Sequence, residues 1–271
     1  MTIPPRDWTD LHWDAIDKVA AAEWIAVLPL AATEQHGPHL PLGTDVMIAE
    51  AYLARVRTLL APNLPVMFLP TQPVGVSTEH IDFPGTLTLP TETALQSWTA
   101  IGASVARTGV RKLVIVTSHG GNSAAMSLVA QDLRAFHRML VVTTSWSRFG
   151  SPDGLFDPDE LRHGIHGGAV ETSIMQAVHP KLVRSGAIAN FASAGRDMES
   201  RYRHLSTQRP APLAWQTQDL NASGAVGDAT QASAAKGEAL LAHGARAFCE
   251  LLADMNKFDL RTLGNGPAAG D

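Results

Sequence analysis

The sequence holds a single cysteine, Cys249, in 271 residues. An intramolecular disulfide and a cysteine-rich zinc site are both excluded. Its surroundings, residues 245–252, read as an amphipathic helix, so a buried structural thiol is expected. Basic surplus is also missing. The 21 Lys and Arg stand against 26 Asp and Glu, a net charge of −5, which argues against a nucleic-acid partner. No apolar run approaches the ~20 residues of a membrane span, so no membrane partner is expected. Residues 1–10 carry Pro, Arg and Asp and lack the apolar core of a signal peptide, which makes the cytoplasm the expected compartment. Neither an internal repeat nor an interdomain linker is visible. Residues 1–271 read as one domain, with its core over about 20–254 and a Gly/Ala-rich tail at 263–271 expected to fray.

What is present is alternation. Four short runs rich in Val, Ile and Leu, at residues 24–30, 66–69, 112–117 and 139–144, read as buried strands. Segments with helical spacing lie between and after them, at 45–60, 91–107, 123–137, 168–178 and 231–254. Asn122 or Ser123 is the expected N-cap of the third, and Pro180 ends the fourth. This alternation predicts an α/β fold, a three-layer α/β/α sandwich around a mostly parallel sheet. Residues 196–222 are polar and read as an irregular excursion or subunit-contact loop.

Ligands of open α/β sheets bind outside the carboxyl ends of the strands. The residues with chemistry cluster in those loops. Glu34, His36, His39 and Asp45 follow the first strand, and Ser77, Glu79, His80 and Asp82 the second. Ser118-His119-Gly120-Gly121-Asn122 follows the third, and His163, His166 and Glu171 the fourth. Imidazole and carboxylate suit zinc, manganese or iron in a hydrolytic site. A Pro/Gly-rich loop of Gly37, Pro38, Pro41 and Gly43 can fold Asp45 back toward Glu34 and His36, with Thr44 capping the helix. Taken singly, each loop also reads as solvated surface: a helix-capping Asp45, a strand-end turn that contains His119, an exposed Glu171. Taken together, three loops presenting His or carboxylate at one sheet edge point to a pair of metals that share a bridging carboxylate, activate a hydroxide and polarise a carbonyl.

The segment Glu34-Gln35-His36-Gly37-Pro38-His39-Leu40-Pro41-Leu42-Gly43-Thr44-Asp45 resembles the signature of the creatininase family. So do Gly75-Val76-Ser77-Thr78-Glu79-His80 with Phe83-Pro84-Gly85-Thr86, His119-Gly120-Gly121-Asn122, and His166-Gly167-Gly168-Ala169-Val170-Glu171-Thr172-Ser173. Residues 224–237, with Gly227-Asp228 and Lys236-Gly237, resemble the family's C-terminal segment, and the order holds over roughly residues 20–250. The resemblance implies a three-layer α/β/α fold, a homohexamer and two divalent ions per subunit, with Zn, Mn or Fe as candidates. It places Glu34 and His119 on one ion, His36 and Glu171 on the other, and Asp45 on both. It makes His166 the proton shuttle as an amide C–N bond, cyclic or linear, breaks under attack by the metal-bridged hydroxide. Known members act on creatinine, on formamides and on mycofactocin precursor peptides.

Two departures turn the expectation away from creatinine. The creatinine-cleaving members carry an aromatic and an acidic residue where this sequence has Gly120 and Gly121. They carry Trp and Asp where it has Arg162 and His163. Ser118 also replaces a common Asn. Ser77, Glu79, His80, Gly120 and His163 are expected at the substrate, with Glu79 also suited to accept from a metal-bound imidazole. His163 reads equally as a turn cap. His39 is expected to stabilise its loop, and Trp146 and Trp215 to form apolar walls or subunit contacts. His12, His137, His179, His204 and His243 have no supporting neighbours and are expected in surface or core packing. Two other classes stay open: an isomerase or C–C hydrolase using the same metals on a carbohydrate ketone, and a non-catalytic binding protein that retains the site.

Overall fold

The computed structural model describes residues 6–264. From residue 265 on, the tail expected to fray lies outside them. Four strands form one parallel sheet in the order β2-β1-β3-β4: β1 (Ile25–Leu30), β2 (Val66–Phe68), β3 (Lys112–Thr117) and β4 (Leu140–Ser145). Ile25 lies opposite Val66 on one side and Lys112 on the other, and Lys112 lies opposite Leu140. All six residues of β1 and of β3 are buried, which explains their unbroken apolar runs.

The nine helices of the described residues are α1 (Lys18–Ala21), α2 (Thr44–Leu59), α3 (Thr91–Arg107), α4 (Ser123–His137), α5 (Pro158–His163), α6 (Ala169–Val178), α7 (Gly195–Arg201), α8 (Thr217–Leu220) and α9 (Ala234–Lys257). Side chains alternate across the sheet with period two. Ile25, Val27, Val114 and Val116 pack with Ile48 and Leu53 of α2, Ile174 of α6 and Leu241 and Phe248 of α9. Ala26, Leu28, Leu113 and Ile115 pack with Trp98 of α3 and Met126 and Leu133 of α4 on the other face. The fold is the three-layer α/β/α sandwich. None of the described helices is long and apolar enough to cross a membrane.

The strand order places the site. The chain leaves β1 through α2 on one face to reach β2, then returns through α3 on the other face to reach β3, so β1 and β3 lie side by side. Their carboxyl ends are where crossovers diverge, and there the loops leave room.

Three expectations change. Residues 196–222 are not an irregular excursion: they hold most of α7, the β6 (Leu205–Ser206) and β7 (Ala211–Pro212) pair, and α8. Short elements of two to seven residues carry too little periodicity to read from sequence. Asn122 is the N-cap residue of α4, but its side chain makes no capping hydrogen bond. Its Oδ1 accepts from the Val76 N–H at 2.9 Å, and its Nδ2 donates to the Ala31 carbonyl at 3.1 Å, so it ties together the loops after β1, β2 and β3. Thr44 does not cap α2 either; its hydroxyl donates to the Pro41 carbonyl at 2.7 Å and tightens the loop that delivers Asp45.

Candidate metal centre

The loop after β1 doubles back on itself. His36 and Leu40 form an antiparallel bridge, Gly37 turns with φ of 68°, and the Glu34 N–H donates to the Leu42 carbonyl at 2.9 Å. This return brings Asp45, in the first turn of α2, beside His36. A carboxylate at a helix N-terminus is favoured by the helix dipole. His119 enters from the end of β3, and Glu171 from the first turn of α6.

The five side chains converge. His119 Nδ1 lies 3.1 Å from Glu34 Oε1 and 3.5 Å from Asp45 Oδ2. His36 Nε2 lies 3.6 Å from Asp45 Oδ1 and 3.8 Å from Glu171 Oε2. Ligand-type atoms fall into triads within 4.8 Å: Glu34–Asp45–His119 and His36–Asp45–Glu171, with Asp45 in both, and Glu34–His36–His166. Glu34, His36, Asp45 and His119 are buried.

Hydrogen bonding decides which nitrogen of each imidazole faces inward. A backbone carbonyl only accepts, so a ring nitrogen beside one carries the hydrogen. His119 Nε2 donates to the Val76 carbonyl at 2.8 Å, His36 Nδ1 to the Glu34 carbonyl at 3.1 Å, and His166 Nε2 to the Gln35 carbonyl at 2.5 Å. The opposite nitrogen of each ring is left facing the carboxylates. Metal-bound histidines are held in this way. His80 is the exception. Gln35 Oε1 accepts from the Gly37 N–H, so the Gln35 amide nitrogen donates both to the Gly224 carbonyl and to His80 Nδ1, at 2.8 and 2.7 Å. The hydrogen of His80 is therefore on Nε2, 3.3 Å from Glu34 Oε1. His80 lies against that carboxylate with its N–H inward and has no lone pair to offer a cation.

Both oxygens of Glu34, His36 Nε2 and Asp45 Oδ2 are buried and lack a hydrogen-bond partner among the described residues. Buried groups of this kind are costly unless a cation satisfies them, so the residues fit divalent metal. Proton equilibria carry the same mark. Burial opposes charge on His36 and His119, but Asp45 and Glu171 around the first and Glu34, Asp45 and Glu79 around the second outweigh it, raising them to about 9 and about 10. Burial also opposes charge on Glu34, yet His119, His166 and His80 hold it well below the usual carboxylate range. Burial raises Glu171 to about 7 and raises Asp45 and Glu79. Burial, with His36 and His80 adding to it, keeps His166 neutral.

The expected substrate residues separate. Gly120 lines a cavity of about 670 Å³ that also touches His166 and Glu171. Ser77 and His80 are buried, with Ser77 Oγ 3.5 Å from His119 Nε2. Glu79 Oε1 also lies 3.5 Å from His119 Nε2. His163, on the last turn of α5, faces Asp159 and Glu199 at 3.6 and 3.7 Å and is not part of the cavity wall. His39 is buried, bonded through Nε2 to Thr172 Oγ1 at 2.9 Å and stacked on Phe191. Trp146 is an apolar wall, stacked on Tyr52 at 4.4 Å. Trp215 donates to the Thr207 carbonyl at 3.1 Å. Among the histidines without neighbours, His243 sits midway along α9, its ring nitrogen 2.9 Å from the Phe149 carbonyl.

One residue had no signal in the sequence. Glu160 of α5 is buried, and its two oxygens accept from the Ala169 and Asp228 N–H groups at 2.7 and 2.6 Å. It clamps the loop of His166 and the start of α6 against residue 228.

A family model described as "Creatinine amidohydrolase" matches residues 9–252. The chain is 33% identical over 222 residues to the mycofactocin precursor peptide peptidase of Mycobacterium tuberculosis, covering 80% of this chain and 79% of that one. It is 29% identical over 248 residues to the creatinine amidohydrolase of Pseudomonas putida, covering 86% and 90%. A crystal structure of creatinine amidohydrolase superposes with a TM-score of 0.75 at 25% identity, over 94% of this chain and 99% of that one. With the motifs at one sheet edge and this likeness along nearly its whole length, the chain belongs to the creatininase family of amide-bond hydrolases.

Proposed function

We propose that the protein is a two-metal amidohydrolase that cleaves the C–N bond of a short peptide or peptide-like amide. The observation that carries this reading is the pair of ligand triads with Asp45 in common. Glu34 and His119 would hold one ion, His36 and Glu171 the other, and Asp45 both. When bound, such ions polarise an amide carbonyl and lower the pKa of water toward neutrality.

The chain's own residues do the rest. His166 is neutral, tethered through Nε2 to the Gln35 carbonyl, with Nδ1 turned toward Glu34 at 3.7 Å. A neutral imidazole in that position takes up a proton at Nδ1 during attack and delivers it to the leaving nitrogen, a role worth about 10²–10⁴-fold in rate. His80 lies against the Glu34 carboxylate, and Glu79 against His119. Likeness to a precursor-peptide peptidase supports a peptide bond as the target, and the bare Gly120 and Gly121 pair supports a substrate other than creatinine. The reading includes a hexamer, checked by light scattering in solution.

The test is hydrolysis of a panel of short peptides, N-formyl compounds and creatinine by protein loaded with Zn or Mn. Metal-dependent peptide cleavage, abolished by a chelator and restored by the ion, is expected. Full activity after chelation, or cleavage of creatinine alone, would contradict it.

A further inference from the structure

We infer that the substrate of this centre carries a bulky, uncharged apolar side group, aromatic by preference, and that Gly120 is the position that admits it. This rests on the two-metal reading above and specifies what lies next to the scissile bond.

The cavity of about 670 Å³ opens directly on the centre, because His166 and Glu171 belong to both. Its size falls in the range, roughly 300–1,000 Å³, of cavities that enclose a sizeable organic ligand. The apolar part of the wall includes Ile48, Tyr52, Trp146, Phe156, Ile174 and Leu240. Tyr52 and Trp146 are stacked with ring planes 5° apart, and buried Phe248 packs against Trp146 at 4.9 Å. The wall is therefore backed by core and fixed in position.

Its polar content narrows the ligand. Besides the Tyr52 phenol, the charged or titratable side chains lining the cavity are Asp153, Glu160, His166 and Glu171; Lys and Arg are absent from the described lining. Glu160 is already engaged at both oxygens. Beyond the metals themselves, an anionic side group would face Asp153 with no Lys or Arg side chain in the described lining to offset it, which burial makes costly. Ser118, Ser147 and Ser151 also line the cavity and are the uncharged polar groups that a bound amide would meet there.

Two adjacent glycines differ here. A Cβ on Gly121 would come within 2.4 Å of His119 Nε2 and the Val76 carbonyl and 2.6 Å of Glu79 Oε1, so packing alone requires glycine. A Cβ on Gly120 would meet nothing within 4 Å. Its φ is not in the left-handed region. Gly120 is thus free to carry a side chain and does not, which leaves the cavity open.

The experiment measures binding of three amino-acid hydroxamates to the metal-loaded protein by calorimetry. All three offer the same chelating group, so only the side chain differs. Phenylalanine hydroxamate is expected to bind at least about tenfold more tightly than glycine or aspartate hydroxamate, the factor for burying one large apolar side chain. In Gly120→Tyr the preference for phenylalanine is expected to fall below about threefold, with metal content at the wild-type level showing an intact centre. Equal binding by all three, preference for aspartate, or no saturable binding of the phenylalanine compound overturns the inference. An unchanged preference in Gly120→Tyr overturns the role of Gly120. A chain that shows the preference yet hydrolyses no amide would support the cavity assignment and overturn the reaction proposed for the centre.

Discussion

Imidazoles divide into two kinds at this site, and the division comes from neighbours on the backbone. His36, His119 and His166 each give one N–H to a carbonyl and turn a nitrogen inward, while His80 turns its N–H inward. Substitutions should separate these roles. His166→Ala is expected to keep its metal and lose about 10²–10⁴-fold in kcat; loss of an ion, read by elemental analysis, would make His166 a ligand, as the Glu34–His36–His166 triad allows. Gly121→Ala forces a methyl against the Val76 carbonyl and His119. Overpacking of this sort costs about 1–3 kcal/mol, and thermal unfolding should register it together with weaker metal retention. The candidate cluster was legible in the sequence because Glu34, His36 and Asp45 sit on one short loop and His119 and Glu171 fall in separate strand-end motifs. The tautomers were not, because they depend on which carbonyl each ring meets, and that is a matter of tertiary distance.

At the level of elements, the sheet order carries most of the explanation. Buried β1 and β3 read clearly from their unbroken Val, Ile and Leu runs, and α3 and α4 were read to the residue. Their adjacency was not readable, since β2 precedes β3 in sequence but lies on the far side of β1. Glu160 was equally hidden. In Pro158-Asp159-Glu160 it looks like any acid in a first helical turn, while in the fold its carboxylate is buried against Gly164, Gly168 and Gly227. Glu160→Ala should strand the Ala169 and Asp228 N–H groups at about 1–3 kcal/mol each. The expected result is a Tm lower by roughly 5–15 °C, with the His166 loop and the start of α6 losing hydrogen-exchange protection first. An unchanged Tm would show that the clamp contributes nothing.

For the whole molecule, protons and metal compete. His36 and His119 have folded values raised to about 9 and about 10. Their protonated forms stabilise the metal-free chain fully below the ordinary value of 6.5, and that contribution fades as pH rises through 9 to 10. Metal requires both rings without the extra proton. Uptake at pH 7 should therefore release at least about two protons per chain, with Glu171 adding to the two rings, read by calorimetry in buffers of different ionisation heat, and affinity should fall as pH is lowered. Binding only the folded state, one ion at a hundredfold excess over its Kd adds about 2.7 kcal/mol, or roughly 5–10 °C in Tm for a chain of this size. All of this depends on a shared carboxylate, so elemental analysis of wild-type protein beside Asp45→Ala, each equilibrated with Zn or Mn and dialysed, is decisive. About two ions per chain are expected in the wild type and fewer than one in Asp45→Ala; an Asp45→Ala protein that keeps both ions, or an active wild type that holds none, would contradict the two-metal centre.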